Sequence, residues 1–273
     1  MRPTRSNWRR SPLNYVGDRA RFERDGDVGV VVIDDPPLNL FGSELSAAVV
    51  EALVEAEGAG IRALVIRAEG NVFTGGADVN VFDGLTPEAA EGFVAQLLQL
   101  AHRVEDLPFP TIACVHGLCL TAGFELSLAC DMIWAAESAQ FGLVEIVIGA
   151  TPLMGGTQRV AERAGPARAR ELVMSGGLYP AETLERWNVI NRVLPDDELL
   201  QKTMRFAERL AAGPTAANAA TKRVVRSVLD EGVRGADARM AEIAMPLFAS
   251  EDLKGAVRSF LEEGPGNARF EGH

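Results

Sequence analysis

An α/β body with a helical tail is the fold class this sequence predicts, and three observations carry it. Apolar runs of strand length alternate with segments of helical period through about residue 135. Beyond about residue 200 the pattern is helical throughout. No repeat at a fixed period and no low-complexity linker divides the 273 residues, so one continuous body is expected.

Each element follows from local chemistry. Residues 28–34 (VGVVVID) read as a strand, closed by the breakers Pro36 and Pro37. Ser43 is placed to cap a helix reaching about Gly58. Residues 61–67 (IRALVIR) form the next strand and empty into a turn-rich loop over 69–76. Thr86 and Pro87 supply a cap and a first helical position for a helix over 87–105. A strand over 111–116 (TIACVH), a glycine-bounded helix over 121–130 and a short strand over 132–135 follow. In the tail, 201–212, 215–230, 236–248 and 250–262 read as helices.

Composition excludes several roles. The formal charge is −11, and residues 1–24 alone hold seven Arg against Asp18 and Glu23, a local +5 that leaves −16 elsewhere. So acidic a body does not present the clustered Lys and Arg that nucleic acid requires. No run of eighteen apolar residues is present to span a bilayer. The basic extension over 1–18 carries Arg2, Arg5, Arg9 and Arg10 without an apolar core of signal-peptide length. It reads as an added arm or as a transit peptide. Cys114, Cys119 and Cys130 are odd in number and lack CxxC spacing, which predicts reduced thiols and a cytoplasmic protein.

Familiar catalytic motifs are absent: no GxGxxG follows a strand, and the Gly155-Gly156-Thr157-Gln158 run lacks the Lys of a P-loop. There is no HExxH or Cys/His ligand cluster, so no metal site is expected. A Ser/His/Asp triad would need His102 or His116, and neither accompanies a GxSxG elbow. His116, ending a strand beside Gly117, reads as structural.

What stands out is two solitary acids. Glu125 is the only acid in VHGLCLTAGFELSLAC, and Glu145 the only one in FGLVEIVIGATPLM. A carboxylate buried without a partner costs several kcal/mol, on the order of a large pKa rise. Each therefore either satisfies nearby backbone amides or belongs to an acid–base pair. Two glycine-rich turns add a second ingredient: 71–78 (NVFTGGAD), and Ala122-Gly123 opening the helix that bears Glu125. Free amides there can form an oxyanion hole, or the turns are ordinary tight turns.

Taken together, these stretches resemble the enoyl-CoA hydratase/isomerase (crotonase) family. Residues 70–79 (GNVFTGGADV) are similar to its GxxFxxGAD(I/V) turn, and 115–131 (VHGLCLTAGFELSLACD) to the segment that bears its first glutamate. Residues 140–159 (QFGLVEIVIGATPLMGGTQR) are similar to the segment with the second glutamate, and the likeness runs over about 25–262. The resemblance implies a crotonase-like spiral of ββα units over 19–200 and a helical region over 201–273 that mediates trimerisation, as a trimer or hexamer. It implies Glu125 and Glu145 as catalytic residues, and the amides of Ala77 and Ala122 as the oxyanion hole. Gly75, Gly76, Asp78, Gly123 and Gly149 fall at substrate-binding positions of the same motifs, and Asn39, also implied to bind substrate, follows Pro37-Leu38 as in the family's adenine-side loop. The implied substrate is an acyl-CoA thioester of fatty acid metabolism. No cofactor is implied, since coenzyme A belongs to the substrate.

Departures from the pattern accompany the likeness. Thr121-Ala122-Gly123 stand where the family commonly has three glycines, which puts two Cβ atoms beside the hole. Leu143-Val144 and Leu153-Met154 are bulkier than usual and imply a reshaped acyl pocket. Asn80 stands where a Lys often follows the GAD(I/V) turn, and Glu263 lies near where basic residues often meet the coenzyme A phosphates. Three functions fit: hydration of a 2-enoyl-CoA, isomerisation of a 3-enoyl-CoA to the 2-enoyl form, and acyl-CoA binding without turnover. Both glutamates together favour hydration.

Overall fold

The computed structural model of the chain describes residues 18–272, so all of the expected N-terminal extension but Asp18 lies outside the described residues. In chain order the first half contains β1 (Ala20–Asp25), β2 (Val28–Ile33), α1 (Ser43–Gly58), β3 (Ala63–Ala68) and α2 (Pro87–Glu105). It continues with β4 (Thr111–Val115), β5 (Leu118–Leu120), α3 (Thr121–Ala129), β6 (Met132–Ala136) and β7 (Gln140–Gly142). Then come α4 (Gly156–Ala164), α5 (Pro166–Ser175), β8 (Tyr179–Pro180), α6 (Ala181–Arg186) and β9 (Arg192–Leu194). The tail is α7 (Leu199–Ala211), α8 (Thr215–Ala244) and α9 (Glu251–Glu263).

Strands that are apolar along their whole length must be covered on both faces. Accordingly β2, β3 and β4 form the centre of a six-stranded sheet of order β1-β2-β3-β4-β6-β9, and all their residues but Arg67 are buried. Only β1 runs antiparallel to its neighbour. A second sheet, β5-β7-β8, lies beside it, with β5 and β7 parallel. The chain repeatedly places a strand in the large sheet, a strand in the small one, and then a helix: β4-β5-α3, then β6-β7-α4. A bridge from Thr74 to Cys119 draws the β3–α2 connection into the small sheet too. This is the expected spiral of ββα units.

Local chemistry explains the element ends. Thr86 caps α2 as expected, its Oγ1 accepting from Ala89 N–H at 3.3 Å with Pro87 at the first position. Ser43 does not cap α1: Gly42 is the N-cap residue, and no side chain bonds there. Ile61 and Arg62 precede β3, because the Arg62 N–H turns back to Asp27 O at 2.7 Å. The helices expected over 215–230 and 236–248 are two segments of α8, joined where Gly232 adopts φ 74°, and the second closes in a 3-10 turn, Met245–Ala249.

α7 packs on β2, β3, β4 and β6, burying Thr203, Ala207 and Ala211. Arg62 fastens the tail to the sheet by donating to Gly213 O at 2.6 Å, Thr215 Oγ1 at 2.8 Å and Phe270 O at 2.9 Å. No helix among the described residues is long and apolar enough to cross a membrane.

Candidate active site

α3 is short and apolar almost all round, and such a helix must be enclosed. All nine of its residues are buried, Glu125 among them at 2% exposure. Two backbone amides hold that carboxylate: Met154 N–H and Gly156 N–H each donate to Glu125 Oε1 at 2.8 Å. The loop carrying these amides is itself anchored. Arg159 on α4 donates to Met154 O and Gly155 O at 3.2 Å, and makes a two-pronged bond to Glu105 at the end of α2, at 2.8 and 2.7 Å. Gly156 permits the close approach, since a Cβ there would lie 2.8 Å from Glu125 Cγ. Burial pushes the Glu125 carboxyl up to about 7; the amide bonds pull it down, and the charge of Glu145 adds to the rise.

Glu145 opens a 3-10 turn, Glu145–Ile148, directly after β7, and Gly149 closes the turn at φ 77°. Its two carboxyl oxygens are buried and neither has a hydrogen-bond partner. Burial lifts this carboxyl, too, to about 7. Two neighbouring carboxyls poised near neutrality can divide the labour, one holding a proton while the other accepts one.

The glycine-rich turn after β3 packs on the start of α3. Thr74 Oγ1 donates to Asn39 O at 2.8 Å and accepts from Gly76 N–H at 2.9 Å. Backbone bonds from Gly75 N–H to Leu38 O, Phe41 N–H to Gly76 O and Asp78 N–H to Phe41 O fix the rest of the turn, at 2.7, 2.9 and 2.9 Å. A Cβ on Gly123 would fall 1.9 Å from Thr74 Cγ2, so glycine is required there. The Ala77 N–H points at Thr121, donating to its Oγ1 at 2.6 Å. Thr121 achieves this at φ 44°, a left-handed conformation that is an outlier for a β-branched residue and costs on the order of 1–3 kcal/mol. The Ala122 N–H, at the second position of α3, has no partner within the helix.

The residues singled out in the sequence fall into three groups. Glu125 and Glu145 are neighbours; Gly76, Ala77 and Gly123, with Ala122 beside it, lie where the glycine-rich turn touches α3, while Gly75 faces Leu38 and Leu40. Asn39 is buried within the support of this turn: its Oδ1 accepts from Asp35 N–H, and its Nδ2 donates to Glu69 O, Val72 O and Phe73 O. Asp78 caps the next short turn, accepting from Asn80 N–H at 3.1 Å, and Gly149 is exposed. Leu143 and Met154, expected to reshape an acyl pocket, are wholly buried. His116 Nε2 sits 3.0 Å from Gly70 O. All three cysteines are free and buried, and burial raises each thiol. No cluster able to hold a metal ion occurs among the described residues. Sequence reasoning missed the Met154 and Gly156 amides, the Arg159–Glu105 pair and the Thr121 hydroxyl. Arg159 carried a signal, being a lone cation at the end of a glycine-rich, apolar stretch.

Comparison with known proteins accords with this arrangement. Residues 23–272 match the family model described as Enoyl-CoA hydratase/isomerase. A probable enoyl-CoA hydratase of Rhizobium meliloti is 34% identical over 246 residues, 88% of this chain and 93% of that protein. The 2,3-dehydroadipyl-CoA hydratase of Escherichia coli is 32% identical over 208 residues, 74% of this chain and 79% of that one. Among solved structures, an enoyl-CoA hydratase subunit of Geobacillus kaustophilus superposes with a TM-score of 0.88 at 32% identity, covering 93% of this chain and 98% of that one.

Proposed function

The chain belongs to the enoyl-CoA hydratase/isomerase family, and from that premise we propose that it adds water across the 2,3 double bond of a 2-enoyl-CoA to give the 3-hydroxyacyl-CoA. The observation that carries this reading is the pair of neighbouring glutamates, Glu125 wholly buried and Glu145 with both carboxyl oxygens buried, each lifted to about 7. Hydration needs two proton transfers. A base must take a proton from the water that attacks C3, and an acid must deliver one to C2. Glu125, its Oε1 fixed by two amides, orients and deprotonates the water. Glu145, whose burial favours the protonated carboxyl, protonates C2. The enolate that forms between these steps carries its charge on the thioester oxygen, which sits at the Ala77–Thr121–Ala122 edge and draws on donors already in place. This chemistry calls on no metal and no redox group.

Double-bond isomerisation is the second reading, because a single shuttle on Glu145 would serve it. We place the protein in the cytoplasm, a reading supported by its three free, buried thiols. Self-association through the tail is supported by Val225, Leu229 and Val233 on α8 and Val257, Phe260 and Leu261 on α9, all large apolar side chains left exposed. The deciding experiment supplies 2-enoyl-CoA and 3-enoyl-CoA thioesters, following the ultraviolet absorbance of the conjugated enoyl group and the product mass. Loss of absorbance with the mass gain of one water is expected. Gain of absorbance from the 3-enoyl series alone would establish the isomerase. Glu125→Gln and Glu145→Gln should each slow hydration by about a hundredfold or more, and a wild-type rate in either refutes the assignment.

A further inference from the structure

Resting on that reading, we infer that the Thr121 hydroxyl is itself an oxyanion donor, interposed between the Ala77 amide and the thioester oxygen. Three features of the site converge on this. Thr121 holds a backbone conformation that β-branched residues avoid, φ 44°, and its Oγ1 accepts from Ala77 N–H at 2.6 Å. Room for that hydroxyl is made by Gly76, at φ 102°, where a Cβ would lie 2.4 Å from Thr121 Oγ1. Finally, a hydroxyl carries one donor beside its acceptor lone pairs. The Ala77 bond uses an acceptor site, and the Thr121 O–H has no acceptor among the described residues.

The unused O–H and the orphan N–H of Ala122 belong to adjacent residues at the start of one helix. A thioester oxygen at this edge would accept from both. As negative charge grows on it, the Thr121 O–H bond strengthens, and the Ala77 N–H stabilises the polarised hydroxyl from behind. No proton leaves Thr121; the enolate is quenched at C2 by Glu145. The direct amide contact of the family pattern thus becomes a two-step chain of hydrogen bonds, and Ala77 acts as a positioning residue through the hydroxyl.

The test reads the carbonyl as well as the rate. Butanoyl-CoA labelled with carbon-13 at the thioester carbonyl cannot react, and its infrared stretch falls when the oxygen accepts strong hydrogen bonds. Wild type and Thr121→Ser should lower that stretch on binding, whereas Thr121→Val should give less than half the wild-type shift. With but-2-enoyl-CoA as substrate, T121V should lose about a hundredfold in kcat, the scale of one lost oxyanion donor, with KM changed less than about threefold. The conservative T121S should recover at least tenfold over T121V. Should T121V not fold, as checked by circular dichroism, Thr121→Cys carries the test; its weakly donating thiol should cost about tenfold or more. Equal carbonyl shifts and equal rates in T121V and wild type, with Thr121→Gly faster than wild type, would overturn the inference by showing that the hydroxyl only covers the Ala77 amide. Failure of the wild type to bind the probe, or binding without any carbonyl shift, would instead remove the acyl-CoA reading, and the inference with it.

Discussion

Replacing Glu145 by Gln should make the protein relatively more stable as pH rises, the reverse of what removing an ion-paired acid does. In the fold both Glu145 oxygens are buried without partners, and burial moves the carboxyl from its ordinary 4.5 to about 7. The unfolded chain therefore loses this proton near 4.5, while the folded chain keeps it until about 7. Between those values the folded state binds the extra proton, so wild-type stability falls with rising pH, by about 1.4 kcal/mol per unit at most. Below the window the residue imposes no such penalty; above it the penalty is complete. The full shift amounts to about 3 kcal/mol. Glu145 is half-buried, and its neighbours Ile146 and Val147 are exposed, so solvent screening reduces this to about 2 kcal/mol. Gln cannot ionise, and any cost of burying its amide is independent of pH. Urea unfolding followed by circular dichroism, at one protein concentration, gives the stability difference between variant and wild type at pH 5 and pH 8. It should shift by about 2 kcal/mol in favour of the variant across that interval. A difference that stays flat, or that moves the other way, refutes the claim that burial raises the Glu145 carboxyl.

Two further perturbations test the frame around the acids. Gly156→Ala puts a methyl 2.8 Å from Glu125 Cγ and 3.1 Å from both Glu125 Oε1 and Leu143 Cδ1. Overpacking should cost about 1–3 kcal/mol, and displacing the carboxylate should slow turnover by about tenfold or more; wild-type kinetics in a folded variant would show that this contact does not set the position of Glu125. Arg159→Met removes the cation that joins Glu105 to the loop carbonyls of Met154 and Gly155. With Glu105 left only the longer contact to Arg226 at 3.4 Å, stability should drop by about 2–3 kcal/mol, or roughly 4–10 °C in Tm by thermal denaturation, and an unchanged Tm would remove the pair from the frame.

Much of this site is legible along the chain because its signals are local. Glu125 and Glu145 stand out as single acids in apolar runs, and the buried glycine-rich turns announce close backbone approach. The central strands β2, β3 and β4 are equally readable, since a strand covered on both faces must be apolar throughout. By contrast β5, β7, β8 and β9 are two or three residues long and too short to show a period, so the small sheet and the β9 edge of the large one go unread. Ser43 shows the limit of local capping rules: it has the right chemistry one position too late, and Gly42 takes the N-cap.

Local patterning along the chain is thus enough to specify the α/β class, the helical tail and the two acids around which the chemistry is proposed. What holds those acids, and what occupies the oxyanion edge, depends on contacts between distant segments. Glu125 meets amides 29 and 31 residues away, Glu105 meets Arg159 across 54, and the Ala77 amide finds the Thr121 hydroxyl 44 residues on. Periodicity and composition record how much water each residue must avoid. They do not record which distant group will stand opposite it, because that is set by how the ββα turns stack, and a bond of 2.6 to 2.8 Å exists only once the stacking has placed both partners.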